Sequence, residues 1–297
     1  MRIGVPRGLL YYKYYPFINN FFNELGEEIV ISQDTNRDIL DLGVKFSVDD
    51  ACLPVKIFHG HVASLKDKCD YVFIPRFMET DRGQSICPKF CGLPEMVKNS
   101  IPDMPKIITE SIYGLSDKKL WDFSKKLGRK LNKNRKQIER AFIDSLNIQK
   151  SFDIGKNDKN YKVKIALVGH PYNIYDSFIN MDIVKKLNEM NIGVITEEYV
   201  EKEDIDSEVN KLFKKPFWTF ARNSYGFAAH VGHNKEVNGI IYISSFACGI
   251  DSVVIELIKD SLNDFPILVL KVDEQTGEAG VETRIEAFTD MLERRCS

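Results

Sequence analysis

Short apolar runs alternate with stretches of helical spacing along the first third of the chain. Arg2–Val5 (RIGV) predicts a strand that ends in Pro6-Arg7-Gly8. Leu9–Leu25 carries apolar residues at helical spacing up to Gly26, a glycine placed to close a helix. Glu28–Ser32, Tyr71–Pro75 and Lys106–Thr109 predict three more strands, and Val55–Leu65 a helix opened by Pro54. Strands alternating with helices imply a parallel sheet covered by helices on both faces.

The pattern changes near residue 116 and then restarts. Between Asp117 and Asp144 there are ten Lys/Arg against four Asp/Glu, with Leu120, Phe123, Leu127, Leu131, Ile138 and Phe142 at helical spacing. This predicts an amphipathic helical segment, followed by a polar linker at Ser151–Asn160. Strands are again predicted at Lys164–Val168, Gly193–Thr196, Gly239–Ser244 and Pro266–Lys271, with helices at Ile179–Glu189 and Thr283–Leu292. The expected fold class is α/β: two domains with parallel sheets, at 1–115 and 161–297, joined by a basic helical segment and linker at 116–160.

Composition narrows this little. The 297 residues are 43% hydrophobic and 28% charged, with a net charge of -2, as in ordinary globular chains. That balance argues against nucleic acid as a partner, and the basic segment reads as the solvated face of a helix. No apolar run is long enough to span a membrane, and the charged, aromatic start MRIGVPRGLLYYKYYPF lacks the apolar core of a signal peptide, so a cytoplasmic location is expected.

The six cysteines change the picture more, because a reducing compartment favours thiols and metal ligands over disulfides. Cys248 lies in SFACGIDS, between a predicted strand and a predicted helix. Cys87 and Cys91 lie in CPKFCGLPE, where Gly92 suggests a turn and Leu93-Pro94-Glu95 the start of a helix. Cys52 directly precedes Leu53-Pro54. Cysteines before helix N-termini meet partial positive charge and free amides, both of which favour the thiolate that binds metal. Cys52, Cys87, Cys91 and Cys248 would suit a [4Fe–4S] site; a four-cysteine zinc site is the rival reading, although structural zinc usually shows CxxC pairs. Cys69, inside LKDKCDYVF, reads as a core thiol, and Cys296 as a loose terminal one.

Several stretches together resemble a known family. Gly4-Val5-Pro6-Arg7-Gly8, Ala51-Cys52-Leu53-Pro54-Val55-Lys56, Cys87-Pro88, Gly169-His170-Pro171-Tyr172-Asn173, Phe246-Ala247-Cys248-Gly249 and the ending from Glu278 to Phe288 are similar to acyl-CoA dehydratase activase-related proteins. These fall within the superfamily of 2-hydroxyacyl-CoA dehydratase, benzoyl-CoA reductase and double-cubane cluster proteins. The resemblance implies two Rossmann- or flavodoxin-like domains with an iron–sulfur cluster in the cleft between them. It also implies a separate ATP-hydrolysing activator as partner, because the chain carries no Walker motif. A double cubane needs about three thiolates per cubane, so a single [4Fe–4S] cluster is favoured.

The expectation drawn from this is an oxygen-sensitive cluster protein, acting as a low-potential reductase or dehydratase-like component or as an electron relay. A non-enzymatic scaffold or regulator with zinc on four cysteines is the alternative, and a metal-free binder of a small acid or acyl-CoA a third. His170, Tyr172 and Asn173 in the loop after a strand are candidate cofactor-binding residues, against a reading as turn and cap formers. Arg7 and Arg76 could balance cluster charge, or serve only in surface ion pairs. The aromatic run Tyr11, Tyr12, Tyr14, Tyr15, Phe17, Phe21 and Phe22 reads as core or as a subunit face, which leaves a homodimer open.

Overall fold

The computed structural model describes residues 1–81 and 83–296. The architecture is mixed α/β with parallel sheets, and the chain divides into two compact units, Met1–Asp153 and Ile154–Ser297.

In the first unit, strands β1 (Arg2–Val5), β2 (Glu28–Ile31), β3 (Tyr71–Phe73) and β5 (Lys106–Ile108) form a parallel sheet ordered β2-β1-β3-β5. A small parallel pair, β4 (Arg76–Glu79) with β6 (Ser111–Tyr113), continues beyond it. Helix α1 (Tyr11–Glu24) buries Phe17, Phe21 and Phe22. It closes as the glycine predicts: Gly26 takes φ 74°, its N–H donates to the Asn23 carbonyl, and the Glu27 N–H donates to the Phe22 carbonyl.

Helices α2 (Arg37–Lys45) and α3 (Leu53–Ser64) meet at two glycines. A Cβ on Gly60 would lie 1.8 Å from the Ile39 carbonyl oxygen, and one on Gly43 2.1 Å from that of Lys56. Only hydrogen at both positions lets the two backbones come this close. Helix α4 (Pro88–Ser100) follows β4.

The basic segment forms two helices, α5 (Asp117–Lys130) and α6 (Arg135–Ser151), the second opened by an Asn134–Gln137 capping box. Both belong to the first unit. Helix α6 is tied to α1 around Pro16, whose missing N–H weakens the helix ladder there. Gln149 accepts from the Phe17 N–H (3.3 Å) and donates to the Lys13 carbonyl (2.8 Å), while Asn20 donates to Ser145.

In the second unit, β7 (Val163–Gly169), β8 (Ile192–Ile195), β9 (Gly239–Ser245) and β10 (Ile267–Val272) form a parallel sheet ordered β10-β9-β7-β8. Numbered within each four-stranded sheet, the two orders are the same: second, first, third, fourth. Around this sheet come the short helices α7 (Pro171–Ile174), α8 (Ile183–Glu189) and α9 (Lys202–Asn210), then α10 (Thr219–His233), α11 (Gly249–Leu262) and α12 (Glu278–Cys296). Ala166, Val168, Ile240 and Tyr242 of the sheet pack with Tyr225, Phe227, Ala228 and Val231 of α10 and Val254, Ile255 and Ile258 of α11. No described helix is long and apolar enough to cross a membrane.

Candidate metal centre and thiol loops

In parallel α/β sheets, ligands collect at the carboxyl ends of the strands, where neighbouring connections leave in opposite directions. In the second unit that place lies between β7 and β9, and two loops build a polar cluster there. Gly169 ends β7 with φ 152°; a Cβ there would sit 2.5 Å from the Ile243 carbonyl oxygen, so glycine lets the two strands close up. His170 follows as the cap of α7 and is 3% exposed. After β9, Ala247 takes the left-handed conformation (φ 63°), and Cys248 caps α11. Asp251, in the first turn of α11, is fully buried.

These three side chains converge. A ring nitrogen of His170, the Cys248 sulfur and a carboxylate oxygen of Asp251 all lie within 4.8 Å of one another, so the group could bind a metal. His170 Nε2 is 3.1 Å from Asp251 Oδ1, and its Nδ1 is 2.7 Å from the Tyr172 hydroxyl. The Tyr242 hydroxyl donates to Asp251 Oδ1 at 2.9 Å. Burial, and then the charge of Asp251, push the Tyr242 phenol well above its ordinary range, so it stays a donor. Asn173 donates to the Ile243 carbonyl and accepts from Ser245. Asp176 caps the turn at Phe178 and Ile179.

In the first unit, three thiols stand at or near helix starts. Cys52 caps α3 and Cys87 caps α4, each followed by a proline in the first helical turn. Helix α4 begins a full turn earlier than the sequence suggests, because Pro88 rather than Pro94 fills its first position. Cys91 and Gly92 are therefore helical and Pro94 is internal. Spaced by four, Cys87 and Cys91 share a helix face. Cys52 and Cys87 sense each other electrostatically, and Cys91 Sγ lies 3.3 Å from the Met78 sulfur. The expected thiolate-favouring effect of a helix start does not prevail at Cys87. Burial pushes its thiol up and the neighbouring Cys52 pushes the same way, against a Lys89 backbone N–H that lowers it.

The arginines are tied up in pairs. Arg7 makes an ion pair with Asp34, and its backbone N–H donates to Ser32. Arg76 pairs with Glu95 and donates to the Cys91 carbonyl, so it fastens α4 to β4. Cys69 is a core thiol, donating to the Leu65 carbonyl beside Gly4. Cys296 is not loose: it ends α12, half-buried, and accepts from Asn238. Asp251 and Tyr242 lie outside the sequence candidates. An acidic residue in a first helical turn reads as an ordinary partner of the helix dipole, and its complete burial is a tertiary property.

A family described as CoA enzyme activase uncharacterised domain matches residues 2–200. No curated protein matches the chain. The match overturns the expected role as a reductase, dehydratase-like component or electron relay. It places the chain in a CoA enzyme activase domain family and gives no support to the dehydratase superfamily itself. An activase domain implies an interaction with an enzyme partner.

Proposed function

The chain belongs to the CoA enzyme activase domain family, and from that premise we propose that it serves the activating side of an enzyme that works on CoA thioesters. The observation that carries this reading is the family match over residues 2–200, which spans the first unit and three of its four thiols, Cys52, Cys87 and Cys91. We read each four-stranded sheet as flavodoxin-like on its strand order.

The soft donor set of the first unit fits a thiophilic metal group. Cys52 and Cys87 are electrostatically coupled, Cys91 lies one turn along the same helix, and all three are half-buried free thiols. These residues would hold a [4Fe–4S] cluster, which when bound supplies one-electron chemistry. The protein's own contribution is to hold the sulfurs: the Lys89 N–H favours the thiolate of Cys87, and Arg76 fixes the helix that carries Cys91. Hydrolysis of ATP, on this reading, belongs to another component of the same activating machinery.

The test is complementation. A cell extract lacking the chain should lose turnover of a CoA thioester and regain it when the purified chain is added back anaerobically. Equal turnover with and without the chain, across a panel of acyl-CoA substrates, would overturn the proposal.

A further inference from the structure

The His170–Cys248–Asp251 cluster carries features that the activase reading does not use. Two of its side chains are almost wholly buried, yet each keeps one polar atom without a hydrogen bond: His170 Nε2 and Asp251 Oδ2. The 3.1 Å approach of Nε2 to Oδ1 is not aligned as a hydrogen bond. Leaving two such atoms unpaired in a packed interior is unfavourable. Their outer atoms, by contrast, are engaged: Nδ1 with the Tyr172 hydroxyl and Oδ1 with the Tyr242 hydroxyl.

That division is what a metal ligand set requires. A ligating histidine presents one nitrogen to the ion and gives the other N–H to an acceptor, and a ligating carboxylate is itself hydrogen-bonded. With Nδ1–H donating to the Tyr172 oxygen, the Nε2 lone pair is free. With Tyr242 donating to Oδ1, the Oδ2 lone pairs are free. The third donor is the Cys248 sulfur, within 4.8 Å of a ring nitrogen of His170 and a carboxylate oxygen of Asp251. Around a four-coordinate zinc-sized ion, such donors stand about 3.4–3.6 Å apart, as follows from metal–ligand distances of ~2.0–2.3 Å. An adjustment of the Cys248 side chain by about 1 Å therefore closes the set. Phe220 covers the imidazole and Tyr172 at 5.5 and 6.1 Å, which shields the ligands from water on that side.

We propose that His170 Nε2, Cys248 Sγ and Asp251 Oδ2 form a mononuclear site for a borderline divalent cation such as Zn2+, Co2+ or Fe2+, with Tyr172 and Tyr242 as its outer shell. One nitrogen, one sulfur and one oxygen exclude a preference for Ca2+ or Mg2+, which take oxygen alone. Three protein ligands leave a position for water or a bound anion. The site shares no residue with the thiols of the first unit and does not depend on the activase role.

Cobalt titration of a full-chain parent carrying Cys52→Ser, Cys87→Ser and Cys91→Ser, which remove those first-unit donors, stripped with chelator and kept reduced, tests this. One Co2+ per chain should bind, with thiolate-to-cobalt absorption and the visible bands of four-coordinate Co2+. Cys248→Ser should remove the thiolate band, and Asp251→Asn and His170→Gln should each abolish stoichiometric binding while far-ultraviolet circular dichroism stays that of the parent. Tyr172→Phe and Tyr242→Phe should keep the spectrum and weaken affinity by about 10–100-fold. The proposal fails if the parent binds no cobalt, if the thiolate band survives Cys248→Ser, or if both tyrosine variants bind as the parent does.

Discussion

Acid should weaken the first unit through one histidine. His61, on α3, is fully buried; its Nδ1 lies 3.0 Å from the Ser32 hydroxyl and its Nε2 3.0 Å from that of Thr35. Burial, reinforced by the nearby positive charge of Arg7, pushes its pKa down from 6.5 to about 3. The folded state therefore binds no proton at His61 until about pH 3, whereas the unfolded chain binds one near pH 6.5. Across that window the unfolded state holds more protons, so stability falls as the pH falls. The full gap of roughly 3.5 pH units corresponds to about 5 kcal/mol, of which ~3 kcal/mol is already lost between about pH 7.5 and 4.5. Urea unfolding in a Trp218→Phe background, where Trp121 alone reports, follows the first unit. His61→Gln lowers stability at neutral pH but should flatten the acid limb by about 3 kcal/mol over the same pH range. Parallel limbs for the two proteins would refute the reasoning.

Three further outcomes follow from the geometry. Gly60→Ala sets a methyl 1.8 Å from the Ile39 carbonyl and should cost about 3 kcal/mol or more by the same unfolding assay; a loss below about 1 kcal/mol would mean that α2 and α3 separate easily. Gln149→Ala removes both side-chain bonds beside Pro16 and should cost ~1–3 kcal/mol, seen as a lower urea midpoint with an unchanged slope. Cys87 should alkylate with iodoacetamide more slowly near neutral pH than an unperturbed thiol. Cys52→Ser should shift the pH–rate midpoint of Cys87 downward, because a charge that opposes ionisation is gone; an upward shift would count against the coupling.

The strands are the most legible part of the sequence. RIGV and GIIYIS are buried in parallel sheets, so their apolar runs stand out without periodicity. Helix α10 escapes the pattern for the opposite reason. In TFARNSYGFAAHVGH small, polar and glycine residues are buried nearly all round, so no apolar stripe marks a face. At α4, Leu93-Pro94-Glu95 resembles a helix start although Pro88 has already supplied one, and a proline motif alone cannot say which of two prolines comes first in the helix. Of the metal cluster, Cys248 and His170 are visible because each closely follows a strand. Asp251 is not, since only tertiary packing reveals its burial and the atom it leaves unpaired.

Strand order also sets a timetable for synthesis. β1 lies between β2 and β3, so it pairs with Glu28–Ile31 on one side and waits for Tyr71–Phe73 on the other. At ~5–20 residues per second, the ribosome needs about 2–8 seconds to pass from the end of β2 to the end of β3. During that interval one edge of β1 is open. The nascent chain is therefore most exposed to misassembly before residue 73 has emerged, and slow codons between 32 and 70 would lengthen that exposure.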